Sequence, residues 1–577
     1  MFSKQVNKHT QHTDNKAYDW EVHQISPNDP SSEQETVTVT RMTDPETGFR
    51  LLARNTNPRV RTEALDAWAM TNHSRNWGNS LEIIEQIYDE EIDPDEKMGL
   101  VFNNYGHASV ADMSQIAVDF NEVPMHVPLS LFNFGELNSG QEKSTRYQEE
   151  FGDNKLHEIK HYLPADINPA HTQTISKDYQ SLGSLSLELF GQSKETIQTI
   201  FEDQFSPTQD EQRSLVSRVL DTARSHLLLG QGTGFGFKTN ARDWARIVGA
   251  LKATPIPAYK ALGEQLQSFL APEETFEEQL GIKTPSPQLI KYSAQNPRVQ
   301  NNLEDIKTYL TTHTNFANEV NTKTSFGEKN LEVTLIDSKH ASPERMAMQY
   351  ILRAHPGADG HEVLNWLEAQ DDRVKTGLGN LIYQDHNHHY SISQKGRTTD
   401  IGARLTGSLA EARDWNRHRA WGRFMPQIPT LESLPVTRED AQTIADEGYV
   451  LTKYLTENPE LHEAKDHVVK GLKQQYDGLN ALLDKAHKEF GDEINYSFAL
   501  NLLPLGHKTD MWMHGDPRQA LYMTKLRVRP GGHINYRQQA WDLNQQVADS
   551  NPFLEGVRAG ADEMPDATSK EQFFDRK

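Results

Sequence analysis

Cysteine is absent from this chain of 577 residues, and its absence removes disulfide scaffolds, cysteine-ligated zinc, iron–sulfur clusters and every thiol nucleophile. It leaves the compartment open, because secreted proteins can also lack cysteine. Long apolar runs are missing as well. No stretch approaches the roughly 18 consecutive apolar residues of a membrane span, and the opening MFSKQVNKHTQHTDNK has no apolar core of the kind a signal peptide needs. The expectation is a soluble, cytoplasmic protein. Positive charge is scarce: 59 basic against 82 acidic side chains leave −23, which argues against non-specific nucleic-acid binding, since a phosphate backbone needs a basic face. A small buried anion site made of a few arginines stays open. What is present, 36% hydrophobic residues, suffices for real cores, and the length suggests about three to five domains or two large ones.

Composition divides the chain. Residues 1–33 are polar and rich in Asn, Gln, His and Asp, which reads as a mobile arm. Residues 273–330, with the Pro285-Ser286-Pro287 turn and many Asn and Thr, read as a connector, and residues 548–577 as an acidic tail that frays. The two remaining stretches, 34–272 and 331–547, look alike. Each opens on a strand pattern, Thr36-Val37-Thr38-Val39-Thr40 and Leu331-Glu332-Val333-Thr334-Leu335-Ile336. Each continues with a His-Ser cluster, Gly106-His107-Ala108-Ser109 and His388-His389-Tyr390-Ser391, and then with amphipathic helix. Leu461, Ala464, Val468, Leu472, Leu479, Leu483 and Ala486 share one helical face, and so do Leu215, Val219, Ala223 and His226. Near their ends stand LLLGQGTGFGFKTNARDW from Leu227 and LLPLGHKTDMWMHGDPRQA from Leu502. The order is collinear, as in a tandem duplication.

Three short segments bear on chemistry. Arg417-His418-Arg419, just after Arg413-Asp414-Trp415, offers forked donors suited to phosphates, although alone it suits a basic surface turn better. Gln141-Glu142-Lys143-Ser144-Thr145-Arg146-Tyr147 puts a carboxylate, a hydroxyl and an arginine within one loop's reach, as a nucleotide would require, or as a solvated loop would also show. Asp385-His386-Asn387-His388-His389 carries three imidazoles in four positions, but no Glu-x-x-His spacing or second ligand group accompanies them, and no metal is assigned. The Gly230–Gly236 run lacks the Lys-Ser/Thr of a P-loop.

Together these segments resemble, twice over, the flavin-dependent thymidylate synthases. The first half is similar to that family at Gly106-His107-Ala108-Ser109, at Glu142–Tyr147 with its Ser144-Thr145-Arg146-Tyr147 core, at Ala223-Arg224 and at Asn240-Ala241-Arg242. The second half is similar at Arg413-Asp414-Trp415-Asn416-Arg417-His418-Arg419 and at Leu526-Arg527, with Arg537 at the family's spacing. Each half also departs. The Arg-His-Arg slot of the first half reads Phe134-Gly135-Glu136, and its final arginine slot falls near Leu251-Lys252. In the second half the Ser-x-Arg-Tyr slot reads Gln427-Ile428-Pro429-Thr430, and the Ala-Arg slot reads Ala499-Leu500.

The resemblance implies an α+β architecture of two tandem domains, each a sheet packed with long helices, and reductive methylation of dUMP to dTMP with FAD as cofactor and NADPH and methylenetetrahydrofolate as co-substrates. A chain without cysteine is compatible with that chemistry, which needs no attacking thiol. The alternative is a catalytically silent paralogue of that family, either flavin- or nucleotide-binding or purely structural. The family's sites lie at subunit junctions, so a double-length chain implies a homodimer acting as a pseudo-tetramer. The resemblance also implies roles. Glu142, Ser144, Arg146, Arg224, Asp414, Arg417 and Arg527 would contact dUMP, with Arg527 at the uracil edge and Ser144 near the reacting carbon. His107, Ser109, Asn240, Arg242, Arg417, His418 and Arg419 would hold FAD. Each half keeps one side of the dUMP site, so the expectation is a single composite site per pair of domains.

Overall fold

The computed structural model describes residues 2–13, 16–27, 37–55, 108–132, 138–146, 169–281, 329–336, 343–354, 359–383, 400–416, 421–425, 436–491, 494–558 and 563–575, with scattered single positions between them. The first half is built on seven antiparallel strands: β1 (Phe2–His12), β2 (Ala17–Pro27), β3 (Val37–Thr43), β4 (Arg50–Asn55), β5 (Gln115–Pro124), β6 (Ser139–Glu142) and β7 (Gly232–Asn240). They lie side by side as β1-β2-β3-β4-β5-β7-β6. Its helices are α1 (His126–Leu131), α2 (Pro169–Phe205), α3 (Gln212–Ala223), α4 (Ala241–Ala253) and α5 (Pro257–Leu270).

The amino-terminal stretch is not a loose arm. β1 and β2 pair along their full length, and β2 pairs on with β3. Successive side chains of a strand face opposite ways, so Tyr18, Trp20 and Val22 share one face and are all buried. The Trp20 ring lies 5.4 Å from that of Phe269, and its indole N–H donates to Gln11 Oε1 at 3.0 Å. The polar average of residues 1–33 conceals this period of two. In the connector, a helix at Glu274–Leu280 buries Phe276 and Leu280.

The second half repeats the arrangement on a smaller scale. Strands β8 (Glu332–Ile336), β9 (Ile401–Ser408), β10 (Gly422–Phe424) and β11 (Lys508–Gly515) are ordered β10-β11-β9-β8. In reverse this is the order of β4-β5-β7-β6, again all antiparallel. Helices follow in matching places: α6 (Leu409–Trp415) after β9 as α1 after β5, α7 (His462–Phe490) as α2, and α8 (Pro517–Val528) and α9 (Ile534–Ser550) as α4 and α5. Even the caps agree. Asn240 accepts from Asp243 N at 2.8 Å and Asp516 from Gln519 N at 2.9 Å, each satisfying one of the first-turn N–H groups that a helix leaves unpaired. The proposed stripes Leu461–Ala486 and Leu215–His226 are buried as expected, and α2 packs along α7.

The halves meet along two short chain segments. Leu229 N donates to Leu503 O and Leu505 N to Leu227 O, Gly230 N to Asn501 O and Gly506 N to Ser225 O, while Leu228 bridges Pro504. Every one of these bonds is reproduced by a shift of 276 positions, which carries 228 to 504 and 230 to 506. The contact therefore has a local pseudo-two-fold axis at Leu228 and Pro504. Glycine is needed there because a Cβ on Gly230 would stand 2.4 Å from Asn501 Cβ, and one on Gly506 2.9 Å from Ser225 Cβ.

The carboxy-terminal stretch is docked rather than frayed. A last helix, α10 (Lys570–Phe574), buries Phe573 between Phe205, Phe201 and Tyr454 at ring distances of 4.3, 5.5 and 5.0 Å. Two phenylalanines in a charged segment supply the apolar area that its composition understates. Among the described residues, no helix is long and apolar enough to cross a membrane.

Candidate functional site at the junction of the halves

Beside the pseudo-two-fold axis, charged side chains of both halves converge in a buried cluster. β6 ends at Glu142, and the turn after it carries Ser144, Thr145 and Arg146. A 3-10 turn continues α3 and carries Arg224. From the second half come Arg413 and Asp414 on α6, His418 just beyond it, Arg527 on α8 and Tyr536 on α9.

Arg224 Nη2 lies 3.1 Å from Asp414 Oδ2, with relative side-chain exposures of 2% and 4%, and Nη1 donates to Thr145 Oγ1 at 3.3 Å. This pair joins the halves, and in so dry a place neither charge is tolerated without the other. Arg413 pairs with Glu142 across the same junction. Arg527 donates from Nε to His418 Nε2 at 2.7 Å and from Nη2 to Asp414 O at 2.9 Å. Because His418 Nε2 accepts, its ring proton belongs on Nδ1. The guanidinium of Arg527 lies 5.1 Å from the centre of the Tyr536 ring and that of Arg146 5.7 Å, so one tyrosine carries an arginine from each half.

Arg146 is the most committed of these cations. It grips Asp221 in a forked pair, Nε to Oδ1 at 2.5 Å and Nη2 to Oδ2 at 3.0 Å, and also donates to Tyr536 OH at 3.2 Å and Gly531 O at 3.3 Å. Four of its five N–H donors are thereby used. Burial alone would raise the Asp221 carboxyl, but Arg146 outweighs it, and the group is held at about 2. Nearby, burial drives His533 down to about 3, so it is neutral against Glu411, whose Oε1 lies 3.3 Å away. Glu411 is itself raised by burial, against the hydrogen bonds from Ser408. Two donors remain open: among the described residues nothing accepts from Arg224 Nε or Arg413 Nε. A buried N–H without an acceptor is costly, and two in one cluster suit a site meant to receive an anionic or carbonyl-bearing ligand.

The expected dUMP residues Glu142, Ser144, Arg146, Arg224, Asp414 and Arg527 are thus brought together, while Arg417 lies outside the described residues. Ser144 Oγ accepts from Arg146 N at 3.2 Å and helps form the turn. The expected FAD residues are scattered. His418 is in the cluster, Asn240 caps α4, and Arg242 pairs with Asp112 at 2.8 Å while more than a third exposed. His107 and Arg419 lie outside the described residues, Ser109 has only its backbone described, and the His386–His389 group is likewise outside. Among the described residues no group of three or more metal-ligating side chains occurs. Arg537 serves the tail instead, donating to Gln572 Oε1 at 3.3 Å.

Asp221 and Tyr536 were not singled out from the sequence, and Arg413 was named only as part of a motif, with no role given to it. A signal existed for Asp221: Arg218, Asp221 and Arg224 stand three apart in RVLDTAR, one charged line along the helix and the turn that continues it.

The mirrored place is different in kind. The 276-position shift sets Leu500 where Arg224 stands and Leu251 where Arg527 stands, both buried. Around the first strands the shift is 284, since Met125 N donates to Gln231 O as Leu409 N does to His507 O. Counted along the following helix, Ser130 occupies the place of Asp414. There Ser130 Oγ lies 3.1 Å from Tyr259 OH, which also meets His126 Nδ1 at 2.7 Å, and His126 Nε2 meets Asn501 Oδ1 at 2.9 Å. Leucines and a hydrogen-bonded group of Ser130, Tyr259, His126 and Asn501 fill the position that arginines hold on the other side.

Comparison with known proteins bears on the second half directly. Residues 372–553 match the family model described as thymidylate synthase complementing protein. Over that stretch, about a third of its length, the chain is similar to this family. The matched stretch includes β9 to α9 and so contains every second-half residue of the cluster. A UPF0159 protein of Chlamydia pneumoniae is 20% identical over 483 residues, covering 82% of each chain. Two solved structures of the Helicobacter pylori flavin-dependent thymidylate synthase with FAD and dUMP are 14% and 15% identical. They cover 39% and 38% of this chain and 96% and 94% of those chains, with TM-scores of 0.22 and 0.21.

Proposed function

We propose that this chain is a flavin-dependent thymidylate synthase that arose by tandem duplication and keeps one composite dUMP site built from both halves. The observation that carries the reading is the asymmetry of the junction. Arg224, Arg527 and Asp414 converge on one side, and Leu500, Leu251 and Ser130 hold the equivalent places on the other. Independent decay of two copies has no reason to retain complementary halves of one site.

The assignments follow the available donors. Arg224, with an open Nε, and Arg413 take the phosphate or ribose. Arg527, turned over Tyr536, takes the uracil edge, where a cation stabilises charge building on the pyrimidine. Arg146 is assigned less to the ligand than to holding the turn that carries Ser144, because Asp221 already occupies its fork. Asp414 orients Arg224 through its carboxylate and Arg527 through its backbone oxygen. FAD, held by His418 with Arg417, Arg419, His107, Ser109, Asn240 and Arg242, would supply the reducing electrons, drawn from NADPH, for the methyl group whose carbon methylenetetrahydrofolate delivers. The chain's own residues bind, orient and exclude water. A homodimer in the cytoplasm completes the proposal, with no nucleic-acid or membrane partner.

The test is spectroscopic and calorimetric. The purified chain should show the visible absorption of bound oxidised flavin and bind dUMP, and Arg224→Ala and Arg527→Ala should each abolish dUMP binding. A colourless protein that binds dUMP in neither flavin-loaded nor flavin-free form would leave the silent-paralogue reading in its place.

A further inference from the structure

We propose that the carboxy-terminal segment from Pro565 to Asp575 is a strap that sets the geometry of the composite site, and that Arg218 is the positioning residue through which it acts. This rests on the nucleotide reading above only for what the site binds.

Arg218 lies on α3, one turn before the Asp221 that grips Arg146, and is 1% exposed. Its guanidinium is spread over three backbone carbonyls from two separate segments. Nε donates to Phe573 O at 3.0 Å, Nη1 to Gly532 O at 2.8 Å and Nη2 to Pro530 O at 2.9 Å, with Asp221 Oδ2 3.5 Å from Nη1. One side chain therefore ties the tail to the Pro530–Gly532 loop and to the carboxylate beneath the site. That loop touches the cluster directly. Gly531 O accepts from Arg146 Nη2 at 3.3 Å, and a Cβ on Gly532 would stand 2.6 Å from Tyr536 OH, so the loop lies against the ring that carries both Arg146 and Arg527. Lysine could not replace this arrangement, because a single ammonium lacks the planar fork that reaches three acceptors at once.

The tail is held by both halves. Ser214 Oγ donates to Phe574 O at 3.0 Å from α3, while from α9 Gln538 Nε2 donates to Pro565 O at 3.0 Å and Arg537 to Gln572 Oε1. Phe573 seals the contact in an aromatic nest of Phe201, Phe205 and Tyr454. Without the strap, Arg218 loses one carbonyl, Phe201 and Phe205 lose their cover, and the loop is held to α3 only from one side. A short terminal segment of this kind opens locally before the rest of the fold does.

The experiment compares the full chain with one ending at Met564 and with Phe573→Ala and Arg218→Lys. Amide hydrogen exchange is followed without ligand at residues 529–533 and 144–146, and dUMP affinity is measured by calorimetry. In the shortened chain, exchange at both segments should rise about tenfold or more, while the middle of α7 stays protected. Affinity should fall about tenfold. A peptide of residues 565–577 added in trans should restore both. Arg218→Lys should show the same rise with the tail in place, and the peptide should not rescue it. Unchanged exchange at 529–533 after removal of the tail, or raised exchange with full affinity, overturns the proposal. If the shortened chain unfolds altogether, the same criteria apply to Phe573→Ala and Arg218→Lys. If the intact chain binds no dUMP, the nucleotide reading fails alone, and exchange at 529–533 and 144–146 still decides whether the strap exists.

Discussion

Replacing Arg224 by leucine and Asp414 by serine installs, on one side of the junction, the residues that stand at the mirrored places on the other. The two single changes and the double form a thermodynamic cycle whose outcome follows from burial. Arg224→Leu takes a paired cation from the Asp414 carboxylate at 4% side-chain exposure, and breaking one partner of such a pair costs about 3–5 kcal/mol. Asp414→Ser strands Arg224 in the same way. The double variant removes both desolvated charges together, and exchanging a buried pair for uncharged residues is often neutral or stabilising by about 1–4 kcal/mol. It should therefore be more stable than either single variant, with a coupling energy of at least about 3 kcal/mol. Urea unfolding followed by circular dichroism supplies the four free energies. dUMP binding should be lost in all three variants, since the arginine is gone or misdirected. Additive losses, with the double variant as unstable as the sum of the singles, would show that the two residues do not act as a pair. A stable double variant that still binds dUMP would refute the assignment of Arg224 to the ligand.

Acid should loosen the junction before it reaches ordinary carboxylates. Burial holds His226 at about 4 and His507 and His533 at about 3, against about 6.5 in an unfolded chain. The unfolded state then binds more protons below pH ~6.5, so stability is full above that value and falls as pH drops towards 4. Melting temperatures from pH 7.5 to 4.5 should decline from about pH 6.5, less steeply in His507→Asn, and a flat profile would contradict the burial of these rings. Asp221 adds a second, lower window: its stabilising share is present above pH ~4 and lost towards pH 2, so Asp221→Asn should flatten that part of an acid titration followed by fluorescence. Gly532→Ala should destabilise by about 1–3 kcal/mol through its clash with Tyr536, and weaken dUMP binding in calorimetry; wild-type behaviour would mean the loop is free to move. Trp20→Ala should cost about 3–5 kcal/mol in chemical denaturation, where an effect below about 1 kcal/mol would restore the view of residues 1–33 as an appendage.

What could be read from the sequence was whatever a local pattern records. The strand at Val37–Thr43 and the stripe from Leu461 to Ala486 are periodic over a few turns, and both are found where the period places them. The slots at Leu251 and Leu500 were reached by counting along motifs, and the pseudo-two-fold shift arrives at the same residues. The hairpin of β1 and β2 and the docked tail were missed for a shared reason: Tyr18, Trp20, Val22 and Phe573 are few among many polar neighbours, and an average over the segment hides them. Asp221 and Tyr536, and the pairing of Arg413 with Glu142, were missed because the partners lie far away in sequence, with Tyr536 meeting Arg146 across 390 positions. The composite cluster is a property of tertiary contact, and short motifs could announce its members but not its pairs.

Counting dUMP sites tests the composite reading most directly. Calorimetric titration of the flavin-loaded chain should give one dUMP per chain, with binding abolished equally by Arg224→Leu from the first half and Arg527→Leu from the second. Two sites per chain, or a fatal change in one half beside a silent one in the other, would contradict it.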